Sequence, residues 1–187
     1  MRVANEYWVP LRLEDGRPLP ARHPLRAAYE VLEIFVSALL MLMLMSTFLC
    51  RTTRVEGTSM NPTLRDHQIL LVSVHNKPLR HGDIAVVSSD GSGLGKPIVK
   101  RVIGLPGDVI DIDFKEGLVY RNGEALREPY TAAPTYLEEG TSFPLTVEPG
   151  SCFLMGDNRN HSMDSRSLRV GQVDQRETMR VIFPAQK

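Results

Sequence analysis

The chain has 187 residues, which suits one domain plus an appendage but not two full domains. Its 22 basic and 22 acidic residues cancel, so it lacks the cationic surplus of a nucleic-acid-binding protein, and 42% hydrophobic residues exclude a wholly disordered chain. Two cysteines rule out a disulfide scaffold, and no Cys/His spacing matches a zinc site, so neither a metal nor a cofactor is expected.

Residues 1–26 carry Pro10, Pro18, Pro20 and Pro24 and read as an irregular tail. Residues 27–50 read as a transmembrane anchor. In Val31–Cys50 only Glu33, Ser37, Ser46 and Thr47 are polar, leaving 16 of 20 positions apolar. As a helix this stretch spans roughly 30 Å, the thickness of a bilayer core. Glu33 lies near one end, where its carboxylate reaches head groups or water. A cleavable secretory signal would begin with a short basic start and end in small residues, but some 30 residues precede this run and Arg51-Thr52-Thr53-Arg54 follows it. A buried helix of a soluble protein would show a polar stripe. Arg12, Arg17, Arg22 and Arg26 precede the segment and Arg51, Arg54 and Arg65 follow it, a margin of one for the N-terminus inside.

From residue 51 the pattern changes to short Val/Ile-rich runs bounded by Gly, Pro, Asp or Asn. In order they are 68–74, 83–89, 97–104 and 108–112, then an Asn122-Gly123 hairpin signal, 151–156 and 179–184. None is long enough for a typical helix. Residues 51–187 are therefore expected to form a mainly β domain of coiled or barrel-like sheets, with a loop-rich excursion at 113–150 marked by Pro129, Pro134, Pro144 and Pro149.

Three segments carry chemistry. Val55–Leu64 contains Gly57-Thr58-Ser59, Val99–Asp108 puts Lys100 inside an apolar strand, and Gly156–Arg166 is dense in polar groups. A serine hydroxyl needs a base to become a nucleophile, and a lysine can serve if it is neutral. A free lysine titrates near 10.4, and burial lowers that value. Ile98, Val99, Val102 and Ile103 could wall in Lys100, whereas Lys77, Lys96, Lys115 and Lys187 sit beside Pro, Gly, charge or the terminus. A tetrahedral oxyanion needs donors, for which the backbone at Gly57 and Ser59 is the candidate. Each feature has a bland reading as well. A loop serine is usually a turn residue, a strand lysine usually lies outward, and Asp164–Arg166 could be a surface pair. His161 and His81 are rival bases.

Taken together and in this order after an apolar helix, S-M-x-P-T-L, K-R-V-I-G-L-P-G-D and G-D-N-R-x-x-S-x-D-S-R resemble bacterial type I signal peptidase over residues 27–187, in the compact form common in Gram-positive bacteria. The resemblance implies a membrane-anchored Ser/Lys endopeptidase that removes signal peptides from exported preproteins after small residues, at Ala-x-Ala-like sites. It makes Ser59 the nucleophile, Lys100 the general base and Ser162 the group that orients the lysine amine. It pairs Asp157 with Arg101 and Asp164 with Arg166 as structural support, and it gives Val55 and Val99 to apolar substrate pockets. It implies a single-pass protein of the cell membrane, with a cytoplasmic N-terminus and an extracytoplasmic catalytic domain, whose partners are signal peptides and the lipid bilayer. This sequence departs from the family in three places. Gly57 stands where some members carry a hydroxyl donor, Asn160 stands at an often acidic position, and Gly171–Pro184 is shorter than usual. Two other readings share these features: a dedicated pilin or conjugation peptidase of the same chemistry, and a catalytically silent peptide-binding membrane protein.

Overall fold

The structure is a computed structural model that describes residues 15–16, 24–48, 50–73 and 78–183. Most of the expected 1–26 tail lies outside the described residues. The chain divides into two compact units between Thr47 and Phe48.

The first unit is built around α1 (Pro24–Phe48). Pro24 opens the helix, where its missing N–H removes no intrahelical bond. Leu, Met and Ala then continue it without a glycine or a second proline. Its described side chains are exposed throughout, including Ile34 at 70% and Val31 at 67%. The stretch Leu25–Leu44 has a mean hydropathy of 1.9 and is long and apolar enough to cross a membrane. The helix begins three residues before the expected anchor, and Cys50, expected as the anchor's last residue, instead opens a strand.

The second unit contains β1 (Cys50–Arg54), β2 (Ile69–Ser73), β3 (Ile84–Val87), β4 (Ile98–Gly104) and β5 (Val109–Asp113). These are followed by β6 (Leu118–Arg121), β7 (Glu124–Ala125), β8 (Leu145–Thr146), β9 (Ser151–Met155), β10 (Val173–Asp174) and β11 (Thr178–Phe183). Seven strands form one sheet in the order β1-β2-β11-β3-β4-β9-β10, and four form another in the order β7-β6-β5-β8. Pairing is antiparallel, and the larger sheet curls into an open half-barrel, so the mainly β expectation holds.

Buried faces explain the sequence pattern. In β3, Ala85 and Val87 join one apolar cluster with Ile98, Val102, Cys152 and Leu154, while Ile84 and Val86 join a second with Val55, Met60, Leu64 and Val72. A strand covered on both faces reads as a continuous apolar run, and β3 does. In β9, Phe153 and Met155 point the other way from Cys152 and Leu154. They meet Ile103, Ile110 and Ile112 in a third cluster that joins the two sheets.

The excursion at 113–150 is more ordered than expected. It supplies β6, β7 and β8, which with β5 make the smaller sheet, and its longest stretch without a strand is 126–144. β6 and β7 turn at Asn122-Gly123, both with positive φ (56° and 82°), as a tight type I′ hairpin requires.

Candidate active site

Ser59 sits just beyond β1. Val55 continues the pairing, donating its amide to Gln68 O and accepting from the His67 amide, both at 2.9 Å. The chain then turns away through Gly57 at φ +84°, a left-handed conformation that favours glycine. Beneath the turn, Met60 and Leu64 are almost fully buried, and the Asn158 amide donates to Ser59 O at 3.0 Å. The serine therefore lies on a pinned loop.

Lys100 comes from the middle of β4 and is 3% exposed. Its Nζ donates to Ser59 Oγ at 2.7 Å. Burial is the largest influence on this amine and brings it from an ordinary 10.5 down to about 8. Asp164 and Glu139 pull the value back up, and Arg166 opposes them. Once neutral, the amine can accept the serine proton over the same short distance.

Alternation along β4 sends the next side chain elsewhere. Arg101 grips Asp157 with two nitrogens, Nε at 2.8 Å and Nη2 at 2.6 Å, donates to Gly82 O at 2.8 Å, and lies 4.0 Å from the centroid of the Tyr130 ring. Both members of this pair are buried. Arg166 and Asp164 form a second buried pair at 2.9 Å, with neither side chain exposed.

Ser162 Oγ donates to Asp164 Oδ2 at 2.7 Å. Its only hydrogen is thereby committed, so towards any further group Ser162 can act only as an acceptor. Gly156 lies between Ser162 and Ser59. A Cβ there would stand 2.1 Å from Ser162 Oγ and 2.6 Å from Ser59 O, so only glycine lets these segments close up. Of the rival bases, His81 is engaged with Asp108 at 2.7 Å and His161 is exposed at the rim of the cleft.

The two oxyanion candidates separate. The Gly57 amide donates to Asp66 Oδ1 at 2.9 Å, which removes it from the donor set; Gly57 supplies the backbone turn instead. Among the described residues the Ser59 amide has no hydrogen-bond partner, so it remains available.

A cleft of about 600 Å³ leads to Ser59, with Arg54–Ser59 on one wall and Lys96–Lys100 on the other. Val55 (3% exposed) and Val99 pack in the same apolar cluster and line this cleft. β4 pairs with β3 from Ile98 onward but with β9 only from Arg101 onward. Among the described residues the first half of β4 therefore presents an unpaired backbone edge to the cleft, to which an extended peptide can add as a strand. Among the described residues no group of three or more His, Cys, Asp or Glu could hold a metal.

The family model for signal peptidase, peptidase S26, matches residues 28–182. The chain belongs to that family.

It is accordingly a hydrolase, a serine endopeptidase. It is 35% identical over 158 residues to signal peptidase I of Bacillus licheniformis, covering 79% of this chain and 82% of that one. It is 37% identical over 142 residues to signal peptidase I T of Bacillus subtilis (strain 168), covering 71% and 72%. It is 34% identical over 160 residues to the probable signal peptidase I-1 of a Synechocystis strain, covering 81% and 78%. A crystal structure of a signal peptidase I from Enterococcus faecalis V583 aligns with a TM-score of 0.47 at 32% identity, covering 57% of this chain and 97% of that one.

Several site residues of this signal peptidase family member escape sequence reasoning. Arg159 is almost fully buried and holds Glu128 through two nitrogens at 2.7 and 2.6 Å. Tyr130, under Arg101, also donates to Glu128 at 3.0 Å. Asn160 accepts from the Tyr136 and Leu137 amides at 3.0 and 3.2 Å through its side-chain oxygen. The only sequence signal was the density of polar groups in 156–166. Nothing marked the Pro-rich 128–139 stretch as its partner.

Proposed function

We propose that this chain is a membrane-anchored peptidase that removes N-terminal signal peptides from exported preproteins with a Ser59/Lys100 dyad. The observation that carries the reading is the 2.7 Å contact between Ser59 Oγ and the amine of a lysine that is 3% exposed. The neutral amine takes the Ser59 proton as Oγ bonds to the scissile carbonyl carbon. The Ser59 amide donates to the resulting oxyanion. Collapse breaks the C–N bond, the lysine ammonium gives its proton to the departing amine, and an ester on Ser59 remains. Lys100 then takes a proton from water as its oxygen attacks the ester; collapse breaks the C–Oγ bond, releases the carboxylic product, and returns the lysine's proton to Ser59 Oγ. The family resemblance assigns Ser162, left able to act only as an acceptor, to an N–H of the lysine, which would turn the amine lone pair towards Ser59.

The substrate lies extended along the free edge of β4. Alternate small side chains enter the apolar wall of Val55 and Val99, which gives the preference for Ala-x-Ala-like sites. The apolar α1 anchors the chain in the bilayer, with residues 1–26 cytoplasmic and the catalytic unit extracytoplasmic. The arginine margin across the helix and the family resemblance support this orientation.

The test is to incubate detergent-solubilised wild type and Ser59→Ala with a preprotein and to sequence the new N-terminus. A cut after an Ala-x-Ala stretch in the wild type alone is expected. Processing by Ser59→Ala would refute the nucleophile, and processing by Lys100→Arg, whose guanidinium stays charged, would refute the base.

A further inference from the structure

Among the described residues one buried side-chain polar atom has no hydrogen-bond partner: Glu139 Oε2. Buried polar groups are normally satisfied, so an orphaned carboxylate oxygen calls for a reason. Its position is imposed by a strap. Gly140 pairs with Ser167 in an antiparallel bridge. Thr141 N donates to Arg166 O at 3.0 Å, and Arg166 Nη1 donates to Leu137 O at 3.1 Å. The loop 137–141 is therefore laced onto the turn that carries Ser162, Asp164 and Arg166.

Glu139 gains little stability there. Arg166 already forks onto Asp164 at 2.9 Å through both Nε and Nη2, and Nη2 also donates to Arg159 O at 2.6 Å. Glu139 Oε2 lies 3.6 Å from Nη2, beyond hydrogen-bond reach, and shares that guanidinium with the Asp164 carboxylate. Its own proton affinity is raised by burial first and by the Asp164 charge second, with Arg166 and Lys100 opposing. A carboxylate held at such a cost beside a lysine that must gain and lose a proton is placed for function rather than for stability.

We propose that Glu139 is a positioning residue of the peptidase reaction: its carboxylate turns the neutral Asp164–Arg166 pair into a group of net negative charge beside Lys100, and so sets the pH at which the amine becomes a working base. The inference rests on the Ser59/Lys100 reading. The charged groups acting on Lys100 are Asp164 and Arg166 from the Ser162–Arg166 turn, Glu139 from the strap, and Asp157 from the end of β9. Those acting on Glu139 are Asp164, Arg166 and Lys100. His161 lines the cleft itself. Glu139 holds the amine's proton affinity up against desolvation, so the ammonium formed during acylation is not expelled too early.

The test is the pH profile of kcat/KM between pH 6 and 10, using the full detergent-solubilised chain and a fluorogenic peptide with an Ala-x-Ala site. Glu139→Gln and Glu139→Ala remove the charge, and Glu139→Asp keeps it. A carboxylate near an ammonium favours its charged form, and sharing with Arg166 weakens that effect. Both charge-free variants should move the acid limb to lower pH, a roughly threefold gain at pH 7 relative to each variant's own plateau. The aspartate variant should keep the wild-type limb. A purely structural role would lower the whole curve and leave the limb in place, and that result overturns the proposal. Lys100→Ala is run alongside. If it is inactive while the Glu139→Gln limb does not move, only the role of Glu139 fails. If it is active, the dyad reading fails and takes this inference with it.

Discussion

Replacing Lys100 with methionine should inactivate the enzyme and stabilise its fold. The wild-type amine titrates near 8 when folded, against 10.5 ordinarily, because burial disfavours its charged form. At 1.36 kcal/mol per unit, the folded state carries a penalty of about 3 kcal/mol at pH 7, where the amine is protonated in both states. Methionine fills similar space with no charge to desolvate. It also loses the hydrogen bond to Ser59, worth about 1 kcal/mol, so the expected net gain is about 2 kcal/mol. The sign can be followed with pH. Between about 8 and 10.5 the unfolded wild type binds more protons than the folded one, so wild-type stability rises with pH in that window. The advantage of the variant should shrink across it, reach zero before its upper end, and become a deficit of about 1 kcal/mol above it. Urea unfolding of both detergent-solubilised proteins at pH 7, 8.5 and 10 measures the difference. A variant no more stable than wild type at pH 7, or one whose gain stays constant to pH 10, would show that the amine is not desolvated and would remove the physical basis of the dyad.

The same amine fixes the wild-type pH–rate profile. With about 10% of Lys100 neutral at pH 7, kcat/KM should rise roughly tenfold to a plateau above pH 9, with a midpoint near 8; a midpoint near 10 would contradict the assignment. Gly156→Ala places a methyl 2.1 Å from Ser162 Oγ and 2.6 Å from Ser59 O, so kcat should fall at least about tenfold in a chain whose far-UV circular dichroism is unchanged, and full activity would mean the close approach is dispensable. Asp157→Ala strands the buried Arg101 guanidinium and should cost about 3–5 kcal/mol in urea unfolding; a loss under about 1 kcal/mol would show that Tyr130 and Gly82 satisfy it alone.

The strands that matter most were visible in the sequence because they are covered on both faces. Ile84–Val87 and Cys152–Met155 read as apolar runs because alternate residues feed different clusters. β1, of sequence CRTTR, is an edge strand with no apolar alternation, and β8 and β10 have two residues each, too few for any period. In the site, the resemblance pointed to Ser59, Lys100 and Ser162, and alternation alone predicts that Lys100 and Arg101 diverge. Of the residues expected to wall in Lys100, alternation puts Ile98 and Val102 on the face of the lysine and Val99 and Ile103 on the other. Ile98 and Val102 belong to one cluster, Val99 to a second and Ile103 to a third. The group that meets the amine comes from 41 positions away. Local neighbours cannot encode such a contact, nor the reach of Glu128 and Glu139 from a proline-rich loop onto Arg159 and Arg166.

The strand order has a consequence for how activity first arises. β11, the last of the described strands in chain order, is inserted between β2 and β3, so the segment bearing Ser59 and the strand bearing Lys100 are bridged through Thr178–Phe183. Until β11 is seated, no strand joins β2 to β3 to hold Ser59 and Lys100 in register. Seating β11 between β2 and β3 completes the sheet that holds Ser59 against Lys100.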